Sequence, residues 1–290
     1  MPSIMNTESP AQLPLPFPMF ALTMMEAAPT ELPAPVAAPA RAPAKPTVED
    51  DRLLLCIERA GKDPTTSLAE ASAWVAAAKG ASRSKPLECL GQIYTVLLRW
   101  DAAEGAFAEA AGVTPISDDA RRSALFAQAG NAALAGGHAD RALSHLDAAV
   151  GVPGIGPLAR GQTEIDRGRA LVALDRLEDA VEALSAAQRD ASDDADAWLL
   201  GATVARRRGD YAAAQRQIEV AGKLASADPE IGLEAGVIAM LDGREPAARK
   251  AWQSVMLVAP GTKEAETAKS YLAQLGGAPA PTTIKPVEGR

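Results

Sequence analysis

The sequence predicts an all-α solenoid built from antiparallel helix pairs stacked along one axis. Three observations predict it. The apolar residues, 48% of the chain, are mostly Ala and Leu, and aromatics make up only 4%, a balance that favours helix over sheet. A small residue returns at near-constant spacing, at Ala69, Ala103, Ala142, Ala180, Ala214 and Ala248, in steps of 34, 39, 38, 34 and 34 residues. Turn residues fall between the helices this spacing implies, clearest in Gly209-Asp210-Tyr211 and Asp242-Gly243-Arg244.

Taken in chain order, residues 1–47 are rich in Pro and Ala, as in Leu32-Pro33-Ala34-Pro35. Proline removes backbone donors and blocks helix interiors, so a disordered or extended tail is expected there. Within it, Leu13 to Met25 is apolar and Ala27-Ala28 would suit a signal peptidase. No Lys or Arg precedes Arg41, however, and Pro14, Pro16 and Pro18 interrupt the apolar stretch. A degraded signal followed by a linker and a plain tail both remain open.

The repeat begins after that tail. Four residues past most of the anchoring alanines stands a larger residue: Phe107, Leu146, Leu184, Ile218 and Trp252. Three further on a small residue usually returns, at Ala76, Ala110, Ala149, Ala187 and Ala221, with Val255 the exception. Twelve residues before the anchors, in the first helix of each pair, lie Gly91, Gly130, Gly168, Ala202 and Gly236. Small residues on facing helices let the axes approach, and the larger residue fills the groove beside them. One such pair cannot bury its apolar faces alone, so neighbours must stack.

This pattern resembles the tetratricopeptide repeat. The match is carried by Leu90-Gly91-x-x-Tyr94 and Trp100-x-x-Ala103-x-x-x-Phe107-x-x-Ala110, ending at Pro115. It recurs through Trp198, Ala202, Tyr211, Ala214 and Ala221, and again through Gly236, Ala248, Trp252 and Pro260. The resemblance implies a right-handed superhelical stack. Repeats are placed near 84–117, 123–156, 161–194, 195–228 and 229–262, behind a degenerate front unit at 48–81 with Ile57 where a small residue is expected. Residues 263–275 form a capping helix with Ala268, Tyr271, Leu272 and Leu275 facing in, and 276–290 a flexible tail. The two longer steps place inserted loop residues between Gly112 and Arg122 and between Gly151 and Arg160. Helix starts are marked by Asp118-Asp119, by Asp193-Asp194 and by Asp228 before Pro229, where acids suit the dipole and a cap precedes proline. In the third repeat Glu164 and Arg167 stand where apolar residues are expected. Either that helix is shifted in register, or a polar feature marks its junction with the second repeat.

Several function classes are excluded. The net charge is −8 without a basic stripe, so nucleic acid is not an expected partner. No apolar run approaches the roughly 18 residues of a membrane span. Cys56, Cys89, His138 and His145 lack ligand spacing, so neither metal nor cofactor is expected. The phosphate-binding loop, the Gly-x-Ser-x-Gly elbow and His-Glu-x-x-His are all absent, and the chain is not expected to be an enzyme.

The resemblance implies instead a concave wall of first helices that receives another protein or peptide. By register that wall includes Glu88, Gln92, Asn131, Arg169, Thr203, Arg206 and Arg207, with Ile165, Leu199, Leu233 and Val237 as apolar neighbours. Arginines there could hold an acidic peptide or a chain terminus, although Arg206 and Arg207 also suit a helix end. Some family members clamp a terminal carboxylate with Lys, Asn and Arg; Asn131 and Arg169 match in type, but the lysines are missing. The expected role is a non-catalytic scaffold, with the Ala-, Arg- and Gly-rich composition of a high-GC bacterium pointing to cell-envelope assembly or secretion. The alternative is a regulatory or targeting subunit acting in trans on an enzyme complex. Cys56 and Cys89 are 33 residues apart, close to one repeat, which puts them on neighbouring first helices. A bridge between them implies an oxidising compartment such as the periplasm; two buried thiols leave the cytoplasm as the alternative.

Overall fold

The computed structural model describes residues 47–276. The Pro/Ala-rich segment, the apolar stretch within it and the C-terminal tail lie outside the described residues. Thirteen α-helices and one 3-10 turn, Gly80–Arg83, make up the described residues, with no strand among them. The helices are α1 (Val48–Ala60), α2 (Pro64–Ala77), α3 (Ser84–Val96), α4 (Trp100–Val113), α5 (Asp119–Ala135), α6 (Ala139–Val150) and α7 (Pro157–Ala173). They continue as α8 (Leu177–Asp190), α9 (Ala195–Arg207), α10 (Tyr211–Leu224), α11 (Pro229–Leu241), α12 (Glu245–Val258) and α13 (Lys263–Gly276).

Consecutive helices form antiparallel pairs, and the second helix of each pair packs on the first helix of the next. The glycines explain how the pairs close. A Cβ added at Gly91 would lie 2.5 Å from the Phe107 ring, one at Gly130 2.6 Å from Leu146, and one at Gly168 2.8 Å from Leu184. Each first-helix glycine therefore seats the larger residue that stands four positions past the anchor of its partner helix. The anchors Ala103, Ala142, Ala180, Ala214 and Ala248 are all fully buried.

Ile57 breaks this rule in the front pair. A bulky side chain at the small-residue position keeps α1 from closing on α2. The helix leaves Ile57 at the surface and packs more on α3 than on its own partner. Leu53 and Cys56 carry that contact, against Cys89 and Ile93.

The longer repeat steps are absorbed mainly by helix. α5 and α7 have 17 residues each, against 13 in α3, α9 and α11. Asp118 caps α5 by accepting from the Arg121 amide, at the start its paired acids marked, and Pro157 opens α7 inside the stretch expected as loop. Asp194 and Asp228 cap α9 and α11 in the same way. Within the pairs the turns share one left-handed residue: Gly137, Gly209 and Gly243, but Leu98 and Asp175 at the same place.

Adjacent first helices pack on one another, α1 on α3, α5 on α7, α7 on α9, α9 on α11 and α11 on α13, whereas successive second helices do not pack comparably. The array therefore curves with its first helices on the inner side.

Glu164 and Arg167 form a polar junction. Glu164 is buried, and Arg167 on the same helix donates to Asp147 of α6 at 2.6 Å. Arg167 also stands 3.5 Å from Glu164, close enough for attraction, while one Glu164 oxygen lacks a hydrogen bond. Burial pushes the Glu164 carboxyl above its ordinary value of 4.5, with Arg167 opposing. A raised folded-state value means that the protonated form favours folding. That contribution is complete below the unfolded value and is lost as pH rises through the folded one. Glu164→Gln, which keeps shape and leaves Arg167 its Asp147 partner, is expected to raise the melting temperature at pH 7. The gain should shrink as pH falls toward 4.5. Thermal melts across that range check it, and an advantage that persists unchanged in acid would contradict the assignment.

Candidate partner-binding groove

The inner side is lined by a polar seam that steps from each first helix to the next. Lys85 of α3 reaches Asp50 of α1 at 2.7 Å. Glu88 pairs with Arg121 of α5, and Gln92 donates to Gln128 of α5 at 3.2 Å. Asn131 donates to Asp166 of α7 at 2.8 Å. Arg169 holds Asp166 on its own helix and Asp196 of α9. Arg206 donates to Glu234 of α11 at 2.6 Å.

Five of the seven residues placed on the wall by register thus share one seam. Thr203 bonds within its own helix, to the Leu199 carbonyl at 3.1 Å. Arg207 leaves the seam for the end of α7, where it donates to the Val172 carbonyl and to Asp175 at 3.0 and 2.7 Å, a place where a cation suits the helix dipole. The three arginines are occupied by carboxylates of the chain itself rather than held free for an acidic ligand. Ile165 and Leu199 do not line the wall. They are 3% and 9% exposed, drawn inward because the packing of Ile165 against Ala187 and Ala197 buries more apolar surface than the groove would.

The seam partners Arg121, Gln128, Asp166, Asp196 and Glu234 escaped the sequence reading. Their signal was present: Arg121, Gln128 and Asp166 lie 33 to 36 residues, about one repeat, from the residue each holds, and Asp196 and Glu234 lie 27 and 28 residues away, one repeat less about two helical turns. Burial raises the Glu88 carboxyl, with the Arg121 guanidinium opposing it, while hydrogen bonds from Lys85 and Thr47 hold Asp50 well below the usual carboxylate range. Between α5 and α7 the wall opens into a cleft of about 250 Å³, lined by Ala120, Ala124, Ala127, Ile155, Ala159 and neighbouring polar groups.

Cys56 and Cys89 face each other across α1 and α3. Their Cα atoms are 6.1 Å apart and their sulfurs are within bonding reach, inside the roughly 4.4–6.8 Å range of bridged cysteines.

No protein-family model and no curated protein matches the sequence. Solved structures do match the fold. A thermophilic TPR protein of Thermus thermophilus, TTC0263, is 22% identical over 66% of this chain and 99% of its own, with a TM-score of 0.53. The fold is the right-handed tetratricopeptide-repeat solenoid. PilW, a type IV pilus biogenesis factor, superposes on the solenoid with a TM-score of 0.64 at 16% identity, over 78% of this chain and 100% of its own. Pseudomonas aeruginosa pilF does so with 0.58 at 12% identity, again over 78% and 100%. Among the described residues no helix of the solenoid is long and apolar enough to cross a membrane.

Proposed function

We propose that this chain is a non-catalytic scaffold that receives another protein or peptide on the inner wall of its tetratricopeptide solenoid. The observation that carries this reading is the seam. It runs from α1 to α11 along one face and fixes the side chains of that face by inter-helix pairs. A surface whose rotamers are already held loses less entropy on binding. The occupied arginines turn the reading away from an acidic clamp and toward a preorganised mixed wall.

The assembly served is a cell-envelope or secretion complex. The likeness to a pilus biogenesis factor supports this, as does the facing cysteine pair, which we read as a disulfide formed in an oxidising compartment such as the periplasm.

A photo-reactive amino acid placed at Gln92, Asn131 or Thr203 should crosslink to the partner in cells, and one at Arg189 on α8 should not. Arg206→Glu, which sets a second carboxylate against Glu234, is expected to weaken capture on the order of tenfold. Arg189→Glu should leave capture unchanged while both variants stay helical. Equal crosslinking or equal loss at α8 would show that the inner wall is not the contact face.

A further inference from the structure

The α5–α7 cleft exists because α5 is short of side chains where its neighbours are not. The register that holds Glu88, Ile165, Leu199 and Leu233 in other first helices holds Ala127 here, and the register of Lys85, Gln162, Asp196 and Glu230 holds Ala124. At the next junction the space is filled, with Ile165 and Leu200 packed around Ala197. The cleft, about 250 Å³, exceeds the roughly 150 Å³ of an apolar cavity that binds benzene. Its two hydroxyls are already spent: Ser123 donates to the Ala149 carbonyl and Thr163 to that of Ala159. The floor is therefore mainly apolar; the Gln162 amide stands at the rim, and the Asp166 carboxylate, also in the lining, is held by Asn131 and Arg169.

From that rim one register continues in steps of 34 residues through Asp196, Glu230 and Glu264. Asp196 is taken by Arg169. Glu230 and Glu264 make no ion pair among the described residues. Partial burial and the carboxylates of Asp228, Asp196 and Glu264 push the Glu230 carboxyl up, and the opposing Arg169 is already shared by Asp166 and Asp196. An apolar socket is thus followed along the groove by negative charge without a cation of its own.

We infer that this stretch of groove selects an extended peptide with one bulky apolar side chain, seated in the α5–α7 cleft, followed by basic residues that meet Glu230 and Glu264. Packed helices lie about 8–10 Å apart and an extended chain advances about 3.3 Å per residue. The first basic residue therefore falls about six to eight positions from the anchor, and the second about three beyond it. This specificity rests on the inner wall being the partner face.

The test uses the full chain and short synthetic peptides carrying one Phe and two Lys at that spacing in a Ser/Ala background, with binding followed by fluorescence anisotropy. Replacing Phe by Ala in the peptide should weaken binding about tenfold or more. In the protein, Ala127→Ile installs the residue α7 carries at that register and should cost a similar factor at unchanged melting temperature. Ala124→Gln reads the same cleft if the first variant folds poorly. Replacing Lys by Glu in the peptide, or Glu230 and Glu264 by Gln in the protein, should weaken binding several-fold, and added salt should erase the difference. Equal affinity for the Phe and Ala peptides, or tighter binding of the Glu-bearing ones, overturns the inference and leaves the groove standing. So does absence of peptide binding when crosslinks from Gln92, Asn131 and Thr203 persist. Loss of both overturns the inference and the partner face together.

Discussion

Replacing Cys56 and Cys89 together by Ala is expected to cost the front of the array about 3–4 kcal/mol. A bridge between residues 33 apart removes that much loop entropy from the unfolded chain. The cost falls on α1, which has the least else to hold it. Ile57 keeps it from closing on α2, and Leu54 and Leu55 stay 65% and 57% exposed. Urea unfolding with and without reductant checks the result. The wild type should lose stability on reduction and the double variant should be indifferent to it. Superimposable wild-type curves, with two titratable thiols in unreduced protein, would remove the bridge and with it the argument for an oxidising compartment.

A comparably large effect is expected at Gly236. An added Cβ there would fall inside the contact distance of the Trp252 ring nitrogen. The indole cannot yield: it is 3% exposed, donates to the Leu233 carbonyl at 3.2 Å and lies 5.0 Å from the Tyr271 ring. Alanine recovers about 1 kcal/mol of helix propensity over glycine, but overpacking a rigid aromatic typically costs about 1–3 kcal/mol. With so hard a clash, Gly236→Ala should come out net destabilising. Gly105, inside α4, has nothing within 4 Å of its missing Cβ, so Gly105→Ala should stabilise by about 0.5–1 kcal/mol. If both substitutions shift the denaturation midpoint the same way, the glycines are not packing against the partner helix as described.

That contrast shows what the sequence carried. The spacing of Gly91, Gly130, Gly168 and Gly236 against Phe107, Leu146, Leu184 and Trp252 is a local rule with a steric cause, and it makes the helix pairs legible in the sequence. The solenoid class followed, because such pairs must stack. Less legible was where the extra residues of two repeats go. Asp118 marks its helix start in the sequence, but Pro157 opens α7 inside the stretch read as loop, and helix propagation wins over loop because each added residue closes another backbone hydrogen bond. The inner wall was legible by register, but the pairing of its charges was not. Arg206 looks like a free cation when its helix is read alone, and Arg169 like one held only by Asp166 three residues earlier; the neighbouring repeat supplies Asp196 and Glu234. The same limit hid the cleft, since Ala124 and Ala127 are ordinary helix residues until set beside the larger side chains of other first helices.

The seam also has a mechanical meaning. Its ion pairs span the inner edge of a curved stack, while the apolar contacts lie between the two layers of helices. Flattening or tightening the curve stretches or compresses the seam first and disturbs the core little. Pairs such as Arg169 with Asp196, both about half-exposed, are weakened by salt. Ionic strength is therefore expected to act on this molecule as a tension adjustment: added salt should loosen the exposed seam pairs, and with them the winding of the superhelix and the width of the groove, without altering which helices are folded.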